Sequence, residues 1–212
     1  MGTILQGILG GFSGTVGTVI GGNWKGIDYM KGKSKKRSAT SSPAQLQQQA
    51  KFSMMLKFLR GFRELLKTSF NEYAKGKTGT NIALSANLLN AVTGDYPAFT
   101  INYPMVQLSH GNLITPKAPK ATAGLAGKVD FSWTNNAGKD ADAATDNAVL
   151  VIYDPSTKKV VYKLDAAKRI TGTDLLDVPE FSGLVVETWM AFVSATGRSF
   201  SDSAYTGSVT VL

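Results

Sequence analysis

Residues 128–134 of the 212-residue chain read Lys-Val-Asp-Phe-Ser-Trp-Thr, and this alternation sets the fold class. Val129, Phe131 and Trp133 stand at every second position, which is typical of a strand with one buried face. A strand of this kind needs a second layer to cover its apolar face, so the stretch predicts a layered β-domain.

Six further runs of this kind flank it and alternate with turn residues. The seven predicted strands span residues 105–110, 128–134, 148–153, 159–164, 174–178, 185–195 and 203–212. In the third strand we expect Val149, Val151 and Tyr153 to face the interior, and we expect residues 154–158 to form a hairpin turn. Seven short strands with close turns are typical of a β-sandwich.

The residues before the strands have the helical period instead. Ser42, Pro43 and Gln45 form an N-terminal capping box with proline at the first helical position. Apolar residues then recur every three or four positions, which predicts one long helix over residues 43–75 with a kink at Gly61.

A second, short helix is predicted over residues 82–93, with Asn81 as its cap and Gly94 as its stop. The chain is therefore expected to be α+β: an N-terminal Gly-rich hairpin, a long and a short helix, and a seven-stranded sandwich. We place the domain boundary between a hairpin and helical assembly region, 1–97, and a sandwich domain, 98–212.

Residues 2–32 hold 10 of the 22 glycines, between apolar residues. We expect a hairpin with strands 15–20 and 24–30 and a turn at 21–23. A two-stranded hairpin is marginal in water, so it must lie on another surface. The predicted assembly residues are Gly10, Gly11, Phe12, Val16, Val19 and Trp24.

The formal charge of +8 is uneven, with +11 on residues 1–120 and −3 on residues 121–212. This asymmetry suits an anionic partner or a head-to-tail assembly. The candidate anion contacts are Lys33, Lys35, Lys36 and Arg37, although a solvated loop is the simpler interpretation. Trp24 and Tyr29 beside lysines suggest a surface for single-stranded nucleic acid, but we favour Trp24 as the anchor of the hairpin on the long helix.

The residue inventory argues against an enzyme. The chain has no Cys and one His, which excludes a thiol nucleophile and multi-His metal sites. His110 is expected to be structural, without an Asp or Ser arranged around it, and the acidic run 140–146 to be a solvated loop. We expect no catalytic residue, cofactor, metal or small-molecule substrate.

The chain lacks the features of a membrane or secreted protein. No apolar run reaches the length of a membrane span, and no basic residue precedes Lys25 as a signal peptide requires. We expect synthesis in the cytoplasm, with a final location there or outside the cell by another route, including on a particle.

Two resemblances accompany these patterns. Residues 129–134 and 189–195 resemble the second strand and last hairpin of a fibronectin type III domain, which implies a sandwich used for adhesion, spacing or display. The glycine pattern of residues 7–14, with 16–19 and 24–27, resembles an uncharacterised Bacteroidota family, a domain of unknown function. That resemblance implies an origin and no activity.

The sequence therefore predicts a non-enzymatic structural protein that assembles with itself into a filament, tube or shell. Its Gly-rich N-terminus and long helix would form the contacts and display the sandwich. One alternative is a basic nucleic-acid-binding protein that uses the Lys/Arg-rich region 31–77, with weak, sequence-independent binding. A second is a sandwich-based adhesin or carbohydrate-binding module.

Overall fold

The computed structural model describes residues 2–4, 7, 10–24, 26–34, 41–74, 76–138 and 141–212, with the backbone alone at 141 and 142. The chain divides into two compact units, Met1–Ser42 and Pro43–Leu212. The domain boundary predicted near residue 97 lies inside the second unit.

The first unit is a four-stranded antiparallel sheet in sequential order. Its strands are β1 (Thr3–Ile4), β2 (Phe12–Val16), β3 (Val19–Trp24) and β4 (Ile27–Gly32). The turn predicted at 21–23 is wrong, because these residues lie within β3. The chain reverses instead at Gly17 and Gly26, whose positive φ angles of 58° and 83° favour glycine.

The second unit begins with helices α1 (Pro43–Leu59), α2 (Arg63–Ser69) and α3 (Gly79–Asn90). α1 starts at the predicted residue, but the predicted single helix is interrupted by a 3₁₀ turn at Arg60–Phe62. Gly61 lies in that turn, where a Cβ would be 2.8 Å from Val160 Cγ2. The interruption therefore brings the helical layer against a strand.

The short helix lies three residues earlier than predicted. Thr78, not Asn81, caps it, because the Thr78 hydroxyl accepts a hydrogen bond from the Asn81 N–H at 3.2 Å. The first turn has no large apolar side chain, so its position was not visible in the apolar spacing. After the helix ends, β5 (Val92–Thr93) pairs with β6 (Thr100–Ile101).

Two sheets form the sandwich. Together with the preceding helices, they confirm the predicted α+β class. The strands are β7 (Lys117–Ala123), β8 (Lys128–Thr134), β9 (Asn147–Asp154), β10 (Lys159–Lys163), β11 (Thr173–Asp177), β12 (Val185–Val193) and β13 (Ala204–Thr210), and a one-turn helix, α4 (Ala141–Ala144), precedes β9. One sheet has the order β10-β9-β12-β13 and the other β11-β8-β7. Their facing side chains form one apolar cluster.

The strand predicted at 105–110 is wrong, and β7 is the strand that the sequence did not reveal. The 105–110 backbone is bonded by side chains instead of a neighbouring strand. The Asn87 side chain donates to the Gln107 carbonyl and accepts from the Gln107 N–H, both at 2.8 Å. Ser203 Oγ accepts from the Leu108 N–H at 2.8 Å.

β9 is buried on both faces. Ala148, Leu150 and Ile152 face the second sheet. Val149, Val151 and Tyr153 are buried as expected, but they pack with the helices and not with the second sheet. The helices therefore form a third layer over the sheet β10-β9-β12-β13.

The predicted turn at 154–158 joins β9 to β10, and Asp154 organises it. Its carboxylate accepts hydrogen bonds from the Ser156 N–H at 2.8 Å and the Thr157 N–H at 3.0 Å. Burial alone would raise the pKa of Asp154, but the hydrogen bonds from Thr157 and Ser156 outweigh it and lower the pKa. The ionised carboxylate is thus part of the folded turn.

We expect Gly79→Ala to lower the free energy of unfolding by about 1–3 kcal/mol, as overpacking does. A Cβ at Gly79 would lie 2.5 Å from the Leu66 carbonyl oxygen, so α3 would have to move off α2. Ser85→Ala on the exposed face of α3 is the control and should be neutral or slightly stabilising. Urea unfolding measures both, and equal midpoints would contradict the close approach.

We expect the Asp154→Asn variant to be less stable than the natural chain at neutral pH. A lowered folded-state pKa stabilises the fold above the unfolded pKa, about 3.9, and this contribution is lost as pH falls through the folded value. The difference between the two proteins should therefore shrink from pH 7 towards pH 3. Thermal melts measure the stability of each protein, and Asp165→Asn, which removes an exposed carboxylate, is the control. A stability difference between Asp154→Asn and the natural chain that stays constant from pH 7 to pH 3 would refute the lowered pKa of Asp154.

Candidate functional site

In its described part, the N-terminal sheet has almost no fully buried residue. Gly21 is the one buried residue among those that the structure describes in residues 2–34. Large apolar side chains are exposed on it, with Met30 at 72% and Ile27 at 69%. Exposed apolar side chains on one small sheet are typical of an interaction surface.

Aromatic rings of neighbouring strands lie against two glycines of this sheet. A Cβ at Gly21 would collide with Phe12, and one at Gly22 would lie 2.9 Å from the Tyr29 hydroxyl. Gly22 and Tyr29 are cross-strand partners. The absence of side chains at Gly21 and Gly22 therefore leaves room for these rings, which explains glycines within a strand.

The predicted assembly residues fall on the strands and turns of this sheet. Val16 and Val19 are paired across the β2–β3 turn, and Trp24 pairs with Ile27 and is half exposed. Gly11 lies against the Asp28 carboxylate. The Gly10 N–H donates to the Gly7 carbonyl at 3.0 Å. Their role in assembly stays a prediction.

β4 is the last strand of this sheet, and all six of its residues are exposed. Its only charged residues are Asp28 and Lys31. A strand edge that lacks proline, a bulge or a dense row of charges is open to pairing with another strand. The edge of β4 is therefore the strongest candidate contact in the first unit.

The two edges of the three-stranded sheet, β11 and β7, are protected. On β11, Asp174 accepts from the Leu175 N–H at 2.8 Å and from the Ala167 N–H at 2.7 Å. Burial would raise the pKa of Asp174, but these bonds and Lys163 lower it, so the carboxylate stays ionised on the edge. β7 carries Pro119 and an irregular register beside it.

The candidate anion contacts are only partly placed. Lys33 is exposed, whereas Lys35, Lys36 and Arg37 lie outside the described residues. The Lys31 ammonium lies 6.0 Å from the centre of the Tyr29 ring. An aromatic and a basic side chain are thus adjacent on β4, beside the free edge.

A cavity of about 470 Å³ lies in the first unit, lined by Thr3, Gly11, Phe12, Ser13, Asn23, Gly26 and Asp28. Asn23 Nδ2 donates to Asp28 Oδ1 at 2.8 Å, and the Gly26 N–H donates to Asn23 Oδ1 at 3.1 Å. These bonds hold the β3–β4 turn. In the parts of the chain that the structure describes, no group of three or more His, Asp or Glu side chains could hold a metal ion.

His110 is not isolated as expected, because an Asp lies beside it. Its Nδ1 is 2.6 Å from Asp202 Oδ1 and 3.1 Å from Gln107 Nε2, and its ring lies 4.5 Å from the Tyr73 ring. Asp202 is 92 residues away in sequence, so the pairing left no local signal. The contact ties the segment between β6 and β7 to the loop before β13.

The acidic run 140–146 contains one buried member, Asp146, so that residue is not solvated as expected. Asp140 and the Asp142 side chain lie outside the described residues. Asp146 Oδ2 accepts from Arg169 Nη2 at 2.9 Å, and Arg169 is fully buried. Arg169 also donates to Asn136 Oδ1 and to the carbonyls of Ile114 and Ala143, at 2.8–3.0 Å.

This guanidinium holds three loops together at one end of the sandwich. It also lies 3.7 Å from the centre of the Phe192 ring, which places it over the core. Its partners are far apart in sequence, so no motif marked it. Its role is structural.

A family model described as a family of unknown function, DUF6266, matches residues 11–207. No curated protein gives a significant match to the chain. Among the described residues, no helix combines the length and the apolar content that a membrane span requires.

We expect Arg169→Met to lower the free energy of unfolding by about 3–5 kcal/mol, because it leaves the Asp146 carboxylate buried without its partner. Lys168→Met, at the exposed neighbouring position, should change stability little. Denaturant unfolding compares the two variants. Similar losses for both would show that the buried pair is not a principal support of the loops.

Proposed function

We propose that this chain, which belongs to the DUF6266 family of unknown function, is a non-enzymatic structural subunit that assembles with copies of itself through β4. The observation that carries the proposal is the edge of β4, with which no further described strand pairs, on a sheet whose one buried residue, within the same range, is Gly21. A strand edge of this kind binds a second strand through backbone hydrogen bonds.

The charges on β4 favour a two-fold contact. In an antiparallel β4–β4 pair centred between Tyr29 and Met30, Asp28 of each copy stands opposite Lys31 of the other. Opposite charges at facing positions stabilise a strand pair by about 0.2–1 kcal/mol each. Tyr29 then faces Met30 of the second copy, which gives each exposed side chain an apolar neighbour.

The two alternative functions have less support. A nucleic-acid contact would use the Lys/Arg-rich region 31–77, but part of its charge is already engaged, since Lys67 binds Glu64 at 2.8 Å and Lys51 lies 4.9 Å from the centre of the Phe99 ring. An adhesin that bound its ligand on the outer face of the sheet β10-β9-β12-β13 would need that face exposed, but helices α1 and α2 cover it. The Bacteroidota origin and a filament, tube or shell as the product also remain proposals.

The test exchanges the charges on β4. Lys31→Asp alone and Asp28→Lys alone each place like charges opposite one another twice in the β4–β4 pair. Each variant should associate roughly tenfold or more weakly than the natural chain, given the energies of such pairs. An equimolar mixture should restore association, because the Asp pair of one chain then faces the Lys pair of the other.

Sedimentation velocity of the full chain measures the mass of each sample, and circular dichroism checks that each variant folds. Leu89→Lys, at an apolar position of α3 that is 81% exposed, is the control and should leave association unchanged. Folded variants that associate like the natural chain, or a mixture that does not recover, would refute the β4 contact. A natural chain that is monomeric at tens of micromolar would do the same.

A further inference from the structure

An apolar cleft of about 380 Å³ lies between α1 and α3 in the second unit. Leu56, Leu59 and Leu84 supply its apolar surface. Arg60 and Arg63 line the side formed by the turn after α1 and the start of α2, and Thr80 lines the α3 side. The cleft thus combines an apolar floor with two guanidinium groups.

These two guanidinium groups are available to a partner. Among the side chains that the structure describes, neither Arg60 nor Arg63 has a carboxylate within 4.0 Å. The nearby Glu64 binds Lys67 at 2.8 Å, and its pKa is lowered chiefly by this hydrogen bond and only weakly by the charge of Arg63. Arg presents a rigid fork of donors that suits a carboxylate, so the cleft is built for an apolar group flanked by acids.

The same unit carries a protrusion of the opposite character. Leu125 lies in the turn between β7 and β8 and is 78% exposed. The Asp130 carboxylate lies beside this turn, 2.9 Å from the position that a Cβ on Gly124 would occupy. Glu180 is exposed and follows Pro179, which packs on Gly127 at the end of the turn. Lys128, at the end of the same turn, has its ammonium 3.8 Å from the Asp177 carboxylate, so Asp130 and Glu180 leave the group acidic. We call Leu125 with Asp130 and Glu180 the acidic knob.

We infer that the acidic knob of one copy docks into the cleft of the next. Leu125 would enter the space between Leu56, Leu59 and Leu84, and the knob carboxylates would meet Arg60 and Arg63. The apolar parts match, and the charges are opposite in sign. The occupant is thus a second copy of this chain.

Docking of this kind is head-to-tail, because the knob and the cleft are different surfaces of one chain. Such a contact continues from copy to copy unless the rotation closes a ring. It is a second contact, independent of the β4–β4 pair, and it uses the more acidic and the more basic parts of the sequence. Added salt should weaken it, since its charged groups are exposed.

The test uses the full chain with Lys31→Asp, so that β4 pairing does not contribute. Two further variants are made in it, a cleft variant (Arg60→Glu with Arg63→Glu) and a knob variant (Leu125→Asp). The chain that carries only Lys31→Asp should form a concentration-dependent series of oligomers in sedimentation velocity. Each variant alone should associate about tenfold or more weakly.

A mixture of the two variants gives the decisive result. The cleft variant keeps a normal knob and the knob variant keeps a normal cleft, so one contact forms and growth stops. The expected product is a dimer containing one copy of each variant. Matched controls are Lys57→Glu with Lys159→Glu for the charge change, and Ile170→Asp for an exposed apolar residue elsewhere.

Folded variants whose mixture forms no dimer would overturn the proposal. So would a Lys31→Asp chain that is monomeric at all concentrations, or a loss of association in the cleft variant but not in the knob variant. The last result would mean that another segment occupies the cleft. Failure of the β4 charge exchange leaves this test unaffected, because the two contacts use separate residues.

Discussion

Strands β9 and β12 are apolar on both faces, and most of the second unit follows from the need to cover them twice. The three-stranded sheet covers one face, around Leu150 and Phe192. α1, α2 and the 3₁₀ turn between them cover the other face, where the Phe62 ring of that turn lies 5.6 Å from the Tyr153 ring and 6.3 Å from the Trp189 ring. Without the helices, the central sheet would expose a row of aromatic and aliphatic side chains to water.

The sequence predicted the features that depend on local spacing. The capping box located the start of α1, and alternation identified β8. Alternation failed at β9, because it assigns one buried face, whereas the uninterrupted apolar run 148–153 is typical of a strand buried on both. The Gly21–Gly22 pair resembled a turn since nothing local shows that rings of Phe12 and Tyr29 lie over it.

The candidate contact surfaces divide in the same way, into features that local sequence can indicate and features that depend on the fold. The apolar character of the N-terminal residues is a property of composition, so the sequence could predict an assembly region there, and that role stays a prediction. The open edge of β4 depends on strand order, and the cleft depends on how α1 meets α3. Arg169 bonds to groups 23 to 55 residues away, and such separations leave no spacing to recognise.

The scarcity of buried side chains in the N-terminal sheet has a calorimetric consequence. Heat capacity rises on unfolding in proportion to the apolar surface that becomes exposed. A sheet whose one buried residue, in its described part, is Gly21 exposes little new apolar surface when it melts alone. The described part of this sheet therefore adds little to the heat-capacity change of a single chain, and an increase of that change with protein concentration would report apolar surface covered between copies.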